Sequence, residues 1–220
     1  DANEQYESMN DFRDQWRAFQ LDPAINQMID RSLLFVEQPV HRDAALNTET
    51  GETLNRWPDC PPIIIDESDA QLDSLPRALQ LGYAGTSHKN CKGVVKSLAA
   101  AATIRWEIGS AHSRILSGED LANVGPIALN QDLAVVAALG IPHVERNGHH
   151  YFRGLQMYSQ SVQRQAVSDH PDLYAWHDRG FAYIQPRNGR LHLDSINRAP
   201  IGIARPIELD SFEPWDLSAS

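Results

Sequence analysis

The segment Pro61-Pro62-Ile63-Ile64-Ile65-Asp66 most narrows what this chain can fold into. Its three isoleucines run without polar alternation, so a strand here must be covered on both faces, as in parallel sheets flanked by helices. The run stops at a carboxylate, and two other segments do the same. The stretch LLFVEQP ends its apolar part at Glu37, and DANEQ places Asp1 where a strand would end. A fourth strand-like segment, GYAGTSHKNCKG, stops at Lys89. Each interval leaves room for a loop, a helix and the next strand. Consecutive parallel strands would then bring these ends to one rim.

Helical patterns fill the intervals. Tyr6, Met9, Phe12, Trp16 and Phe19 recur every three or four residues and predict an amphipathic helix, and PAINQMIDRS predicts a second. Further helices are expected near Ser74 to Leu81, from Val94 to Trp106, over PIALNQDLAVVAALG, and near Leu155 to Val167. The alanine run Ala99 to Ala102 fits a helix packed tightly on a sheet. His41 to Pro61, rich in Asn, Thr, Gly and Asp, reads as a long loop. A weaker strand, SRILSG, ends beside Glu119 and Asp120, and PHVERNGHHYF reads as a last strand. Beyond Phe181 the chain is short-stranded, with RNGRLHLD as a hairpin.

About six strand–helix units predict an α/β fold: a partial TIM-type (β/α) barrel, roughly strands 3 to 8, with a parallel sheet and outer helices. Residues 1–180 would form the barrel portion and 181–220 a closing segment packed against a further, amino-terminal domain. Six strands alone would leave two unpaired edges, so the chain is expected to belong to a longer polypeptide.

The composition is that of an ordinary globular protein, 42% hydrophobic and 22% charged over 220 residues. A net charge of −10 without a basic patch argues against nucleic acid and anionic membrane partners. No run approaches the roughly 18 apolar residues of a membrane span. Cys60 and Cys91 have no metal-binding spacing, which suits a reducing, cytoplasmic setting.

Asp1, Glu37 and Asp66 at one rim would offer hard oxygen donors suited to a divalent cation such as Mg²⁺. The plainer alternative is that each is solvated or caps the following helix. In HKNCKG, alternation sends His88 and Lys89 to opposite faces, so one of them can point toward the acids. Lys92 stands beside Gly93 at a helix start, where the helix dipole disfavours a cation unless an anion is near. Lys96 is expected to be exposed. At the next strand end, Glu119, Asp120 and Asn123 are candidates for substrate contact, with capping by Asp120 as the alternative. In ERNGHHYF, Glu145, His149 and His150 are candidates for acid–base work or substrate binding, although Asn147-Gly148 is itself a turn signal.

Taken together, DAN at Asp1 to Asn3, EQP at Glu37 to Pro39, DES at Asp66 to Ser68, and Lys89 one strand later resemble the enolase superfamily. The resemblance is to its mandelate racemase and muconate lactonizing enzyme branch. It covers Asp1 to Gly154, with the segment after Gly189 also similar. It implies that Asp1, Glu37 and Asp66 hold Mg²⁺ and that Lys89 removes a proton alpha to the carboxylate of a small substrate. Asn3, Glu67, His88, Lys92, Asp120 and Glu145 would then lie around that centre or touch substrate, with His149 or His150 as an acid–base partner. Racemisation or epimerisation is the expected outcome. An acid-sugar dehydratase or other lyase is the alternative within the superfamily, and a non-catalytic barrel remnant or a two-carboxylate hydrolase lies outside it. Relatives of this kind assemble into homo-oligomers. The two earlier strands and the capping domain of the family are missing from the sequence.

Overall fold

The computed structural model describes residues 1–106, 114–119, 121–207 and 212. The chain divides into two compact units, Asp1–Gly118 and Glu119–Ser220.

The first unit opens with α1 (Met9–Leu21), whose Ser8 N-cap accepts from the Asp11 N–H at 3.2 Å. Its periodicity predicts the face that is buried: Met9, Phe12 and Trp16. Asp22 ends α1 and caps α2 (Pro23–Ser32), accepting from the Ala24 N–H at 2.8 Å. Proline at the first helical position has no amide to leave unsatisfied. Then come β1 (Val36–Glu37), α3 (Arg42–Ala45), α4 (Thr48–Asn55), β2 (Ile63–Ile65), α5 (Ser74–Leu81), β3 (Gly85–His88), α6 (Val94–Trp106) and β4 (Ile115–Gly118).

The four strands form one parallel sheet in the order β1-β2-β3-β4, every neighbour pair joined through helices. Ile63 and Ile65 face a core of Met9, Phe12, Trp16, Leu54, Trp57 and Tyr83, while Leu75, Leu79, Ala100 and Ile104 pack with Leu116. Ile64, on the opposite face of β2, is fully buried as well. The uninterrupted isoleucines thus form a strand with both faces covered, as expected of a parallel sheet. Gly85 pairs with Ile115 so closely that a Cβ there would collide with the Ile115 carbonyl oxygen. The opening segment lies alongside β1: Ala2 N–H donates to Glu37 O at 3.0 Å, and Tyr6 makes a parallel bridge with Val40.

Two local readings change. The expected loop from His41 to Pro61 contains α3 and α4. Their ends are satisfied by polar side chains: His41 Nδ1 accepts from Asp43 N–H, Asn47 Oδ1 from Thr50 N–H, and Thr50 Oγ1 donates to Ala44 O. The expected strand in PHVERNGHHYF reduces to a single parallel bridge, Glu119 to Glu145, followed by a 3₁₀ turn at Gly148–His150.

The second unit contains α7 (Ala128–Leu139), α8 (Gln160–Asp169), the antiparallel pair β5 (Tyr174–Trp176) and β6 (Ala182–Ile184), and α9 (Asp194–Arg198). Leu129, Leu133, Leu155, Ala166, Leu173, Tyr174, Ala182 and Ile196 make its core. Residues beyond 181 contribute to that core. At Arg187 and Arg190 the backbones exchange both hydrogen bonds around Asn188-Gly189, the tight turn expected there.

Among the described residues, no helix is long and apolar enough to cross a membrane.

Candidate active site at the carboxyl ends of the parallel strands

Register decides which side chains can meet. Glu37 pairs with Ile64 and Ile65 with Thr86. By the two-residue pleat, Glu37, Ile64, Asp66, Ser87 and Lys89 then share the face turned away from the helices. Thr86 and His88 take the other face: Thr86 Oγ1 donates to Asp69 Oδ2 at 2.8 Å, and His88 Nδ1 lies 2.6 Å from Ser97 Oγ on α6. The alternation that sends His88 and Lys89 apart therefore holds, and Lys89 is the one that meets the acids.

The centre is Asp66, 4% exposed. Lys89 Nζ donates to Asp66 Oδ2 at 2.7 Å, and Lys92 Nζ donates to Asp66 Oδ1 at 2.5 Å and to the Ser87 carbonyl at 2.8 Å. Burial alone would raise the Asp66 pKa, but the Lys92 charge and the hydrogen bonds from both ammonium groups outweigh it and hold the carboxyl below its ordinary range. Glu37, 3% exposed, brings a carboxylate oxygen within 4.8 Å of one of Asp66. Two buried acids and two ammonium groups thus gather at the ends of β1, β2 and β3. The anion that a cation at Lys92 calls for is Asp66.

Glu67 is half-buried beside this centre. Burial, then the neighbouring charges of Asp66 and Glu4, push its carboxyl up. Glu4 itself is paired with the Arg42 guanidinium, whose Nε and Nη2 donate to it at 2.9 and 2.6 Å; that hydrogen bonding holds its carboxyl below the usual range. His88 is 2% exposed, and burial followed by the Lys92 charge lowers its pKa to about 4, so it is neutral near pH 7 and supports α6 rather than the acids. Lys96, expected at the surface, is instead mostly buried, 2.7 Å from Asp69 Oδ1.

Asp1 stays apart. Its side chain turns back to accept the Asn3 N–H at 2.8 Å, a local turn in which Asn3 has φ of 44°, and both residues are exposed. Among the described residues it does not share the close spacing of Glu37 and Asp66. Asp120 and the side chain of His149 lie outside the described residues. Glu145 and His150 are exposed and belong to the second unit; His150 meets Tyr151 edge-on. In that unit Asn147 Nδ2 donates to Glu119 Oε1 at 3.3 Å, and Asn123 Nδ2 to Asp132 Oδ2 at 2.6 Å.

Gln38 was not singled out from the sequence, although it is the middle residue of EQP. It is 1% exposed and reaches from the end of β1 into the turn after β2.

No family model, curated protein or solved structure matches the chain. The reading of the site therefore stands on its chemistry.

Proposed function

We propose that this chain belongs to a (β/α)-barrel enzyme that removes a proton alpha to a carboxylate with the help of Mg²⁺. This is the chemistry of the enolase superfamily, which its motifs resemble. The observation that carries the reading is the convergence of Lys89 and Lys92 on buried Asp66, with Glu37 beside it. The donor set fits the metal: Glu37 and Asp66 offer hard carboxylate oxygens of the kind Mg²⁺ takes. Asp1 would give a third donor only by releasing its turn on Asn3; the Ala2 N–H bond to the Glu37 carbonyl keeps it beside β1.

A proton alpha to a carboxylate is hard to remove because the product carries two negative charges. When bound, Mg²⁺ would supply the positive charge that makes this product tolerable. Lys89, an ammonium in its pair with Asp66, would first release that proton to solvent, as a dication bound nearby favours, and then accept the alpha proton as a neutral amine. Lys92 keeps one oxygen of Asp66 and a main-chain carbonyl, so the acid retains a cationic partner when the Lys89 amine turns to substrate. The enolase superfamily pairs a lysine base with magnesium to this end. Return of the proton on the other face gives a racemase or epimerase; loss of a leaving group gives a dehydratase.

The test is exchange in deuterated water with Mg²⁺, following the alpha hydrogen of 2-hydroxy acids, N-acyl amino acids and acid sugars by NMR. Deuterium should enter with wild type and not with Lys89→Ala. Exchange that survives Lys89→Ala, or is absent from every carboxylate, defeats the reading. Inverted product marks an isomerase, and a keto acid marks a lyase.

A further inference from the structure

We infer that Gln38 is a positioning residue that fixes the distance between the Glu37 and Asp66 carboxylates. The inference rests on the magnesium reading above and extends it to a residue that touches neither metal nor substrate.

Three observations meet at this side chain. Its Oε1 accepts from the Asp66 N–H at 2.8 Å and from the Ser68 N–H at 3.3 Å. Its Nε2 donates to Val40 O and to Ser68 Oγ, each at 2.8 Å. Both acceptor sites and both donors are thereby used, which is the full capacity of an amide side chain. Its backbone has φ of 35°, where a non-glycine residue is strained and persists only if its surroundings over-determine it.

The geometry explains why the strain is held. Gln38 follows Glu37 directly, so its backbone sets where that carboxylate leaves β1. Its side-chain carbonyl grips the amide of Asp66, the residue that leaves β2. One residue therefore ties both acids, through covalent neighbourhood on one side and a hydrogen bond on the other. The turn from Asp66 to Asp69 is also held from a second direction, by Lys96 and Thr86 on Asp69. That second tether touches neither Glu37 nor Asp66, which makes it a control for general loosening of the turn.

The experiment is Mg²⁺ titration calorimetry of the full chain, with circular dichroism to confirm folding. Gln38→Asn shortens the side chain by one methylene, beyond reach of the Asp66 amide, and asparagine tolerates positive φ better than glutamine. Its Mg²⁺ affinity should fall about 10–100-fold, the usual cost of losing a partner that orients a ligand. Gln38→Met, equal in length and without an acceptor, repeats the loss if the asparagine variant does not fold. Lys96→Gln should leave Mg²⁺ affinity unchanged while lowering stability. Unchanged affinity in Gln38→Asn or Gln38→Met, or an equal loss in Lys96→Gln, overturns the inference and leaves the metal reading standing. A wild-type chain that takes up no Mg²⁺ defeats the reading itself.

Discussion

At the scale of single residues, burial decides what each ionisable group does. Asp66 is as deeply buried as Ile64 in practical terms, yet stays charged because two ammonium groups share its oxygens. Among the described residues His88 is buried without a carboxylate partner, and burial drives it neutral. The consequence for stability has a definite sign. The unfolded chain takes up a proton on this ring near pH 6.5, whereas the folded chain resists until about pH 4. Its contribution is complete above pH 6.5 and is lost as pH falls through about 4, an interval worth about 3 kcal/mol. His170, also lowered by burial, acts in the same direction. Urea denaturation at pH 7 and pH 5 should show wild type losing more stability than His88→Gln, which cannot charge; equal losses would contradict the assignment. Alternation separated His88 from Lys89 without saying which of them faces the acids; the choice of Lys89 came from the spacing its motifs share with the enolase superfamily. The sequence did not reveal Lys96, whose partner Asp69 is brought near by the turn after β2, a contact invisible to periodicity.

At the scale of elements, legibility followed apolar pattern. Helix α1 was readable from Met9, Phe12 and Trp16, and α6 from Val94 to Trp106, because each has a regular buried stripe or a continuous helix-forming run. Strand β2 was readable because isoleucines without alternation have few other homes. Helix α4 was not, since Thr50, Gly51 and Thr53 form much of its buried face and polar or small residues carry no hydrophobic signal. Its existence rests on capping, which makes a sharp expectation. Asn47→Ala removes the acceptor for the Thr50 N–H and should cost about 1 kcal/mol. Chemical denaturation measures the cost directly, and a change below a few tenths would mean that another group caps the helix. Asp1 shows the limit of spacing from the other side. Its position in DAN suggested a ligand, but the same short side chain closes a turn on Asn3, a competition that spacing cannot foresee.

At the scale of the whole molecule, two units with separate cores divide the labour of the sequence. The first carries the parallel sheet and the lysine–carboxylate centre. The second is built on α7 and α8 with the β5–β6 pair, where Tyr174 Oη donates to Asn130 Oδ1 at 2.7 Å inside the core. Leu133, fully buried there, gives this unit its own test. Leu133→Ala should destabilise by about 2–5 kcal/mol through lost contacts and a residual void. Hydrogen exchange read peptide by peptide should report the loss in residues 121–207; a loss spread first over residues 1–106 would show that the cores are wrongly divided. Finally, the tight seam at Gly85 has a bearing on how mutational data for this chain are interpreted. Any larger residue there must push β3 from β4, and Ser87 and Lys89 with it, so a blind screen scored on the proposed exchange reaction would rank Gly85 beside the lysines. It has no functional group to contribute; what it supplies is clearance.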